Sequence, residues 1–245
     1  MKFTKMHGCG NDFVIVDGPA ADMTAARVRD LCDRGRGIGD DGVLVIGEAR
    51  GRCWRVTIHN ADGSMGESCG NGARCVARYL LDRHGGDDLE LSFAGGDVVA
   101  RREGTGIAIA FAPPHSPEPI AVDGARGYRV SFGNPHIVLF VPDPANADLT
   151  ALAVAARAAA GEANVEVARV VAPDLILLRV DERGVGETLA CGTGACATVA
   201  AAMSDQPMAE RVTVRVPGGD LFVRAGPRVF ELAGPAEYVF EGSTP

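Results

Sequence analysis

The sequence predicts an α+β protein of two pseudo-symmetric domains from an internal duplication, each a mostly antiparallel β-sheet or barrel wrapped around a central helix. Two observations carry this. The stretch ESCGNGARC at 67–75 returns as LACGTGAC at 189–196, so Cys69 and Cys191 stand 122 residues apart in the same turn. Around them the spacing recurs. Gly95-Gly96-Asp97 in LELSFAGGDVVAR returns 123 residues on as Gly218-Gly219-Asp220 in VTVRVPGGDLFVR, and Asn11 of GNDFVIVD returns 123 on as Asn134 of GNPHIVLFV. Unrelated local patterns share one offset, and two copies are too few for a solenoid, which needs about three repeats.

Each half reads in the same order. A short strand (FVIVD; HIVLFV) precedes a helix (TAARVRDLCDRG; DLTALAVAARAAA). One or two strands follow (GVLVIGE and CWRVTIHN; VEVARVVA and LILLRVDE), then the cysteine turn and a second helix. GARCVARYLLDRHGG stops at a glycine pair and GACATVAAAMSDQP at a proline, both ordinary helix terminators. The latter is apolar all round, which puts it inside the protein. Alternating strands over 89–111 and 211–232 close each half. The halves meet in APPHSPEPIAVDG (112–124), where Pro113, Pro114, Pro117 and Pro119 are expected to stop regular structure. The domains are therefore 1–116, with Cys69, and 117–245, with Cys191 and a last strand that packs back on the first lobe.

Composition narrows the function. The chain is 47% hydrophobic and 23% charged, as in an ordinary globular protein, and its net charge of −8 argues against a nucleic-acid partner. The N-terminus MKFTKMHGCGNDFVIVD lacks the apolar run of a signal peptide, and no stretch nears the roughly 20 apolar residues of a membrane span. A cytoplasmic location follows, with no membrane partner. There the seven cysteines (Cys9, Cys32, Cys53, Cys69, Cys75, Cys191, Cys196) are thiols. Cys32, Cys53, Cys75 and Cys196 read as buried small hydrophobes. The cysteines lack metal-ligand spacing, so no metal is expected.

The two repeated cysteines sit where a helix begins. Unpaired N–H groups and the positive end of the helix dipole gather there, which should lower a thiol's pKa and hold a carboxylate. Gly70-Asn71 and Gly192-Thr193 supply those N–H groups, and glycine allows close approach. Two such turns facing one small acid would suit proton removal beside a carboxylate on one face and proton delivery on the other. Pyridoxal phosphate would need a Schiff-base lysine, and Lys2 and Lys5 are the only lysines, so no cofactor is expected.

MHGCGNDFVIVD, NADGS, CGNGARC, GNPH, ERGVGET and ACGTGAC, in that order, closely resemble the diaminopimelate epimerase family across essentially the whole chain. The resemblance implies that family's fold, a homodimer, no cofactor, and interconversion of LL- and meso-diaminopimelate on the lysine and peptidoglycan pathway. It implies Cys69 and Cys191 as the acid/base pair, with His136 and Glu182 adjusting them and Asn11 lining the reacting end. Gly70-Asn71 and Gly192-Thr193 would cradle the reacting carboxylate. Asn60, Asn134, Asn164, Glu182 and Arg183 would read the distal end, where arginine and amides suit a carboxylate and carboxylates or carbonyls suit an ammonium. Asn60 and Asn134 suit turns in their own right, and singly neither Asn60 nor Asn164 reads as functional; with the cysteine turns they do. Gly42 stands where some members carry glutamine, and the chain is short around 115–127 and 157–163.

The alternative function is a related cofactor-independent racemase of another amino acid, such as histidine, distinguished by the distal pocket. A non-catalytic binding protein on the same scaffold would have lost a cysteine; both are present.

Overall fold

Stretches rich in valine, isoleucine and leucine, bounded by glycine and proline, form strands because branched side chains pack well on a pleated surface. The computed structural model describes residues 1–19, 22–67 and 69–244. The chain divides into two units, Met1–Ile109 with Gly234–Pro245, and Ala110–Ala233.

The first unit runs β1 (Lys2–Gly8), β2 (Asn11–Asp17), α1 (Ala25–Cys32), β3 (Gly42–Arg50), β4 (Cys53–Asn60), β5 (Met65–Gly66), α2 (Gly70–His84), β6 (Asp88–Phe93), β7 (Gly96–Glu103) and β8 (Gly106–Phe111). The β1–β2, β3–β4, β4–β5, β6–β7 and β7–β8 pairs are antiparallel. Two crossovers make parallel pairs: α1 joins β2 to β3, and α2 lies between β4 and β6.

The second unit runs β9 (Glu118–Val122), β10 (Ala125–Ser131), β11 (Pro135–Phe140), α3 (Leu149–Ala160), β12 (Asn164–Ala172), β13 (Leu175–Glu182), β14 (Gly186–Thr188), α4 (Gly192–Asp205), β15 (Arg211–Val216), β16 (Gly219–Ala225) and β17 (Phe230–Gly234). Its pairings repeat the first unit's. β10–β11, β12–β13, β13–β14, β15–β16 and β16–β17 are antiparallel, and β11–β12 and β13–β15 are parallel. Both Gly-Gly-Asp stretches make two-residue hairpin loops, with Phe93 opposite Gly96 and Val216 opposite Gly219. The duplication read in the sequence is thus repeated strand by strand.

The proline-rich stretch departs from expectation. Instead of stopping regular structure throughout, it contains β9, with Pro119 opposite Tyr128 of β10. Among the described residues β9 pairs with β10 alone, and an edge strand tolerates proline because one side needs no N–H donor. The final strand, β18 (Glu237–Ser243), pairs with β1 in the first unit. β1 and β10 are thus each flanked by a strand that follows the other half in the chain, β18 and β9.

Each unit wraps its own second helix. In α4 every residue from Gly192 to Ala202 is buried, and small side chains let strands approach from all sides. α2 buries Asn71 to Ala77 and then Tyr79, Leu80 and Leu81. The first helix of each unit begins conventionally: Thr24 and Asp148 accept the N–H groups of Arg27 and Ala151, caps each worth about 1 kcal/mol. In the second unit, Ile137, Leu139 and Val165 pack with Ala153 and Ala156 of α3. No helix among the described residues is long and apolar enough to cross a membrane.

Candidate active site

Helices are normally capped by an oxygen from serine, threonine, aspartate or asparagine. Here sulfur takes that place twice. Cys69 is the N-cap of α2 and its Sγ accepts the Gly72 N–H at 3.3 Å; Cys191 is the N-cap of α4 and accepts from Gly194 at 3.4 Å. The capping geometry aims each sulfur at the first turn, beside N–H groups that have no acceptor within the helix. The residue three positions on is glycine in both units, and a Cβ there would meet a side chain of the neighbouring strand. A Cβ at Gly72 would lie 3.1 Å from Leu44 Cδ1, and one at Gly194 would collide with Glu166 Oε1 and lie 3.2 Å from its Cδ. Ser68, inside the first cysteine turn, lies outside the described residues.

In the first unit, the two-residue β1–β2 turn uses left-handed Cys9 (φ 54) and Gly10 (φ 81), and Asn11 starts β2. The Asn11 amide is oriented by its partners. Its Nδ2 donates to Asp41 Oδ2 at 2.7 Å, so Oδ1 turns to Asn71 Nδ2 at 3.1 Å and to Cys69 Sγ at 4.0 Å. Asp41 is held in turn by Arg34 at 2.8 Å, which also bonds Asp12, and Asp12 bonds Lys5 at 2.8 Å. Burial raises the Asp12 carboxyl, but Lys5 and Arg34 together bring it below its ordinary value. Asn11, Cys69, Gly70 and Asn71 are therefore brought together. Asn60 is exposed at the end of β4, and its side chain donates to Ser64 Oγ across the following turn at 2.9 Å.

In the second unit, Cys191 is 6% exposed and His136 1%. The Cys191 Sγ lies 3.6 Å from Thr193 Oγ1, which accepts from Asn134 Nδ2 at 3.3 Å. Glu182 accepts the Thr188 hydroxyl at 2.6 Å, and the Asn164 Oδ1 accepts the backbone N–H of Arg183 at 2.9 Å. Asn134, His136, Thr193 and Cys191 form one cluster; Asn164, Glu182 and Arg183 sit at facing ends of β12 and β13, with Arg183 exposed.

The expected lowering of a helix-terminal thiol fails at Cys191. Burial pushes this thiol well above the ordinary value, and the charges of Glu182 and Glu166 add to it. The Thr193 hydroxyl and the Gly194 N–H pull the other way and are outweighed, because desolvating a thiolate costs more than two weak donors return. The surroundings of Cys191 favour the protonated form. Of the cysteines read as inert, Cys75 and Cys196 are fully buried, and burial raises Cys75 to about 12. Cys32 is buried but donates to Asp40 Oδ1 at 2.9 Å, and Cys53, on a strand with a solvent side, is only half-buried.

Sequence reasoning missed Glu166. It is fully buried on β12, and its Oε1 lies 2.7 Å from His136 Nδ1. One atom each from His136, Glu166 and Cys191 lie within 4.8 Å of one another. A nitrogen, oxygen and sulfur could together ligate a cation, but ligands about 2.1 Å from one tetrahedral ion stand roughly 3.4 Å apart. The His136–Glu166 contact is of hydrogen-bond length instead. The sequence did carry a signal: Glu166 sits between two valines in VEVA, within a strand buried on both faces from Val165 to Ala168. Asp41 and Arg74 were also missed. Arg74, 0% exposed, donates to Asn71 Oδ1 at 2.9 Å and to the Pro235 carbonyl at 3.3 Å.

The chain as a whole is similar to known proteins. The sequence model described as diaminopimelate epimerase matches residues 3–111 and 128–232. The chain is 40% identical over 276 residues to the diaminopimelate epimerase of Neisseria meningitidis, covering 99% of this chain and 97% of that protein. It is 38% identical over 272 residues to that of Phenylobacterium zucineum, with the same coverage of 99% and 97%. Among solved structures, the fold is similar to a PhzF-family phenazine biosynthesis protein of Enterococcus faecalis (TM-score 0.73, 12% identity, 98% of this chain and 97% of that one). It is also similar to a hydroxyproline epimerase of Agrobacterium vitis (TM-score 0.69, 15% identity, 99% and 90%). The chain is an isomerase and belongs to the diaminopimelate epimerase family.

Proposed function

We propose that this protein converts LL-diaminopimelate to meso-diaminopimelate, and back, by a two-base exchange between Cys69 and Cys191 without a cofactor. The observation that carries the reading is the paired sulfur cap: each half begins its buried helix on a cysteine, in a chain that matches the epimerase family nearly end to end.

In one direction the Cys69 thiolate takes the α-proton, and the C–H electron pair passes into the adjoining carboxylate as an enediolate-like carbanion. The Cys191 thiol gives its proton to the opposite face of the same carbon. The carbon is inverted, nothing is oxidised or reduced, and the enzyme is left with a Cys69 thiol and a Cys191 thiolate, ready for the reverse. Assigning the resting proton to Cys191 follows from its burial beside Glu166 and Glu182. N–H groups of Gly70, Asn71, Gly192 and Thr193 would hold the carboxylate on which charge builds, where fixed dipoles help most. His136 and Glu182 would tune the Cys191 proton. Asn11, its amide set by Asp41, would line the reacting end. Asn60, Asn134, Asn164, Glu182 and Arg183 would bind the distal amino-acid head. The reading puts the enzyme in the cytoplasm, as a homodimer, on the lysine and peptidoglycan pathway.

The test is incubation of reduced protein in deuterium oxide with LL-diaminopimelate and with single-head amino acids, histidine among them, resolving stereoisomers. Turnover of diaminopimelate with deuterium at the α-carbon is expected, and Cys69→Ser or Cys191→Ser should remove nearly all of it while circular dichroism is unchanged. Full turnover in either variant would refute the two-thiol exchange. Turnover of histidine alone would make the protein a racemase of another amino acid.

A further inference from the structure

The two units place different chemistry at equivalent positions. In the first, Phe13 of β2 pairs with Gly42 of β3, and two residues along is Leu44; in the second, His136 of β11 pairs with Asn164 of β12, and two residues along is Glu166. Leu44 packs against the glycine that follows Cys69 by three, and Glu166 against the glycine that follows Cys191 by three. Phe13 and Leu44 are buried apolar residues, so this duplicated fold closes over its helix terminus without ions. A buried polar pair is usually no more stabilising than an apolar pair of similar volume. The carboxylate and imidazole of the second unit therefore need an explanation other than stability. The second oxygen of Glu166 and Nε2 of His136 are buried with no hydrogen-bond partner, so neither group is there to satisfy the backbone.

We propose that Glu166 is a positioning residue for Cys191: by accepting a hydrogen bond from His136 Nδ1 it fixes that ring's tautomer and plane, and its charge beside the sulfur favours the form of Cys191 that carries its proton, the form from which it acts as the acid. The tautomer of a histidine is set by the bond its other nitrogen makes, and a carboxylate is the acceptor that holds a proton on Nδ1. A nearby anion opposes formation of a thiolate. The charged groups that face Cys191 are accounted for element by element. β11 supplies His136, β12 supplies Glu166 and β13 supplies Glu182; α4 itself adds only the Thr193 hydroxyl. On the other packed strands the charges pair elsewhere or face solvent. Arg126 of β10 bonds Asp205 at the far end of α4 and Arg129 is exposed, while on β16 Asp220 bonds Arg215 and Arg224 approaches Glu231. The inference rests on the two-thiol reading for its kinetic consequence alone.

Glu166→Gln keeps the volume and an acceptor for Nδ1 but removes the charge. The readout is iodoacetamide labelling of each cysteine against pH, assigned by peptide mass spectrometry, with stereoinversion rates alongside. Cys191 labelling at pH 8 should rise at least about tenfold, the midpoint of its profile moving down by about one pH unit, because only the thiolate reacts. Cys69 labelling should stay within twofold of the parent. The kcat should fall at least about tenfold with KM within threefold, the split expected when a proton-transfer group rather than binding is disturbed. Glu166→Leu copies the packing at Leu44 and should shift Cys191 labelling the same way, so the test survives if the glutamine variant does not fold. A parent-like Cys191 profile in either folded variant overturns the proposal. If the parent protein leaves diaminopimelate untouched, the functional reading fails, and the labelling profile still decides the role of Glu166.

Discussion

Gly194→Ala should damage this protein where Gly72→Ala barely affects it, although both place a methyl at the third residue of a buried helix. Replacing a helical glycine by alanine gains about 1 kcal/mol from backbone entropy. At residue 72 the new Cβ meets two Leu44 methyl carbons at 3.1 and 3.3 Å, which a leucine can relieve by moving a few tenths of an ångström. The net change there should lie within about 1 kcal/mol of zero. At residue 194 the methyl collides with Glu166 Oε1, and that carboxylate cannot swing away, being fully buried and bonded to His136 at 2.7 Å. Overpacking costs about 1–3 kcal/mol. Displacing a buried charge-assisted bond costs about 1.5–3 kcal/mol more. After the helix gain is subtracted, Gly194→Ala should destabilise by about 1.5–5 kcal/mol. Urea unfolding followed by circular dichroism, both variants beside the parent, measures the difference. Equal stabilities for the two variants would refute the claim that Glu166 is locked against the helix terminus.

Three further outcomes follow from the same geometry. Because burial and two carboxylates raise the Cys191 thiol, its alkylation rate should still be climbing above pH 9 with no plateau; a plateau near pH 8 would contradict the burial argument. The same group binds its proton more tightly folded than unfolded, so its contribution to stability is complete below the unfolded value and declines as pH rises past it. Burial likewise raises Asp40 from 3.8 to about 6. Its stability contribution is present below pH 3.8 and lost as pH rises to about 6, so Asp40→Asn should stabilise the protein at pH 7 and not at pH 3.5, as paired thermal melts would reveal. Asp41→Ala should release the Asn11 amide and lower kcat by about tenfold or more, while stability changes by less than about 1 kcal/mol, since its ion pair with Arg34 is largely exposed. Unchanged turnover would show that Asn11 is held correctly without it.

The elements that were legible in advance are those with local causes. Val, Ile and Leu runs gave the paired strands, and glycine or proline marked where α2 and α4 end. The offset between the cysteine turns foretold a topology that repeats strand for strand. β9 was not legible, because local preference for Pro119 is unfavourable and only pairing along β10 makes a strand there. Nothing local marks Arg74 as buried; the Pro235 carbonyl that accepts its Nε–H lies 161 residues away in the chain.

By itself, the amino-acid order determined the duplication, the sulfur at the head of each buried helix and membership in a family of isomerases, since each is carried by spacing and residue type along the chain. Tertiary structure alone decided what surrounds the second of those sulfurs. The helix dipole at Cys191 is a local term and favours the thiolate; burial, with Glu166 and Glu182 brought in from β12 and β13, outweighs it. A pKa depends on distance and solvent, and neither is written in a residue's neighbours along the chain.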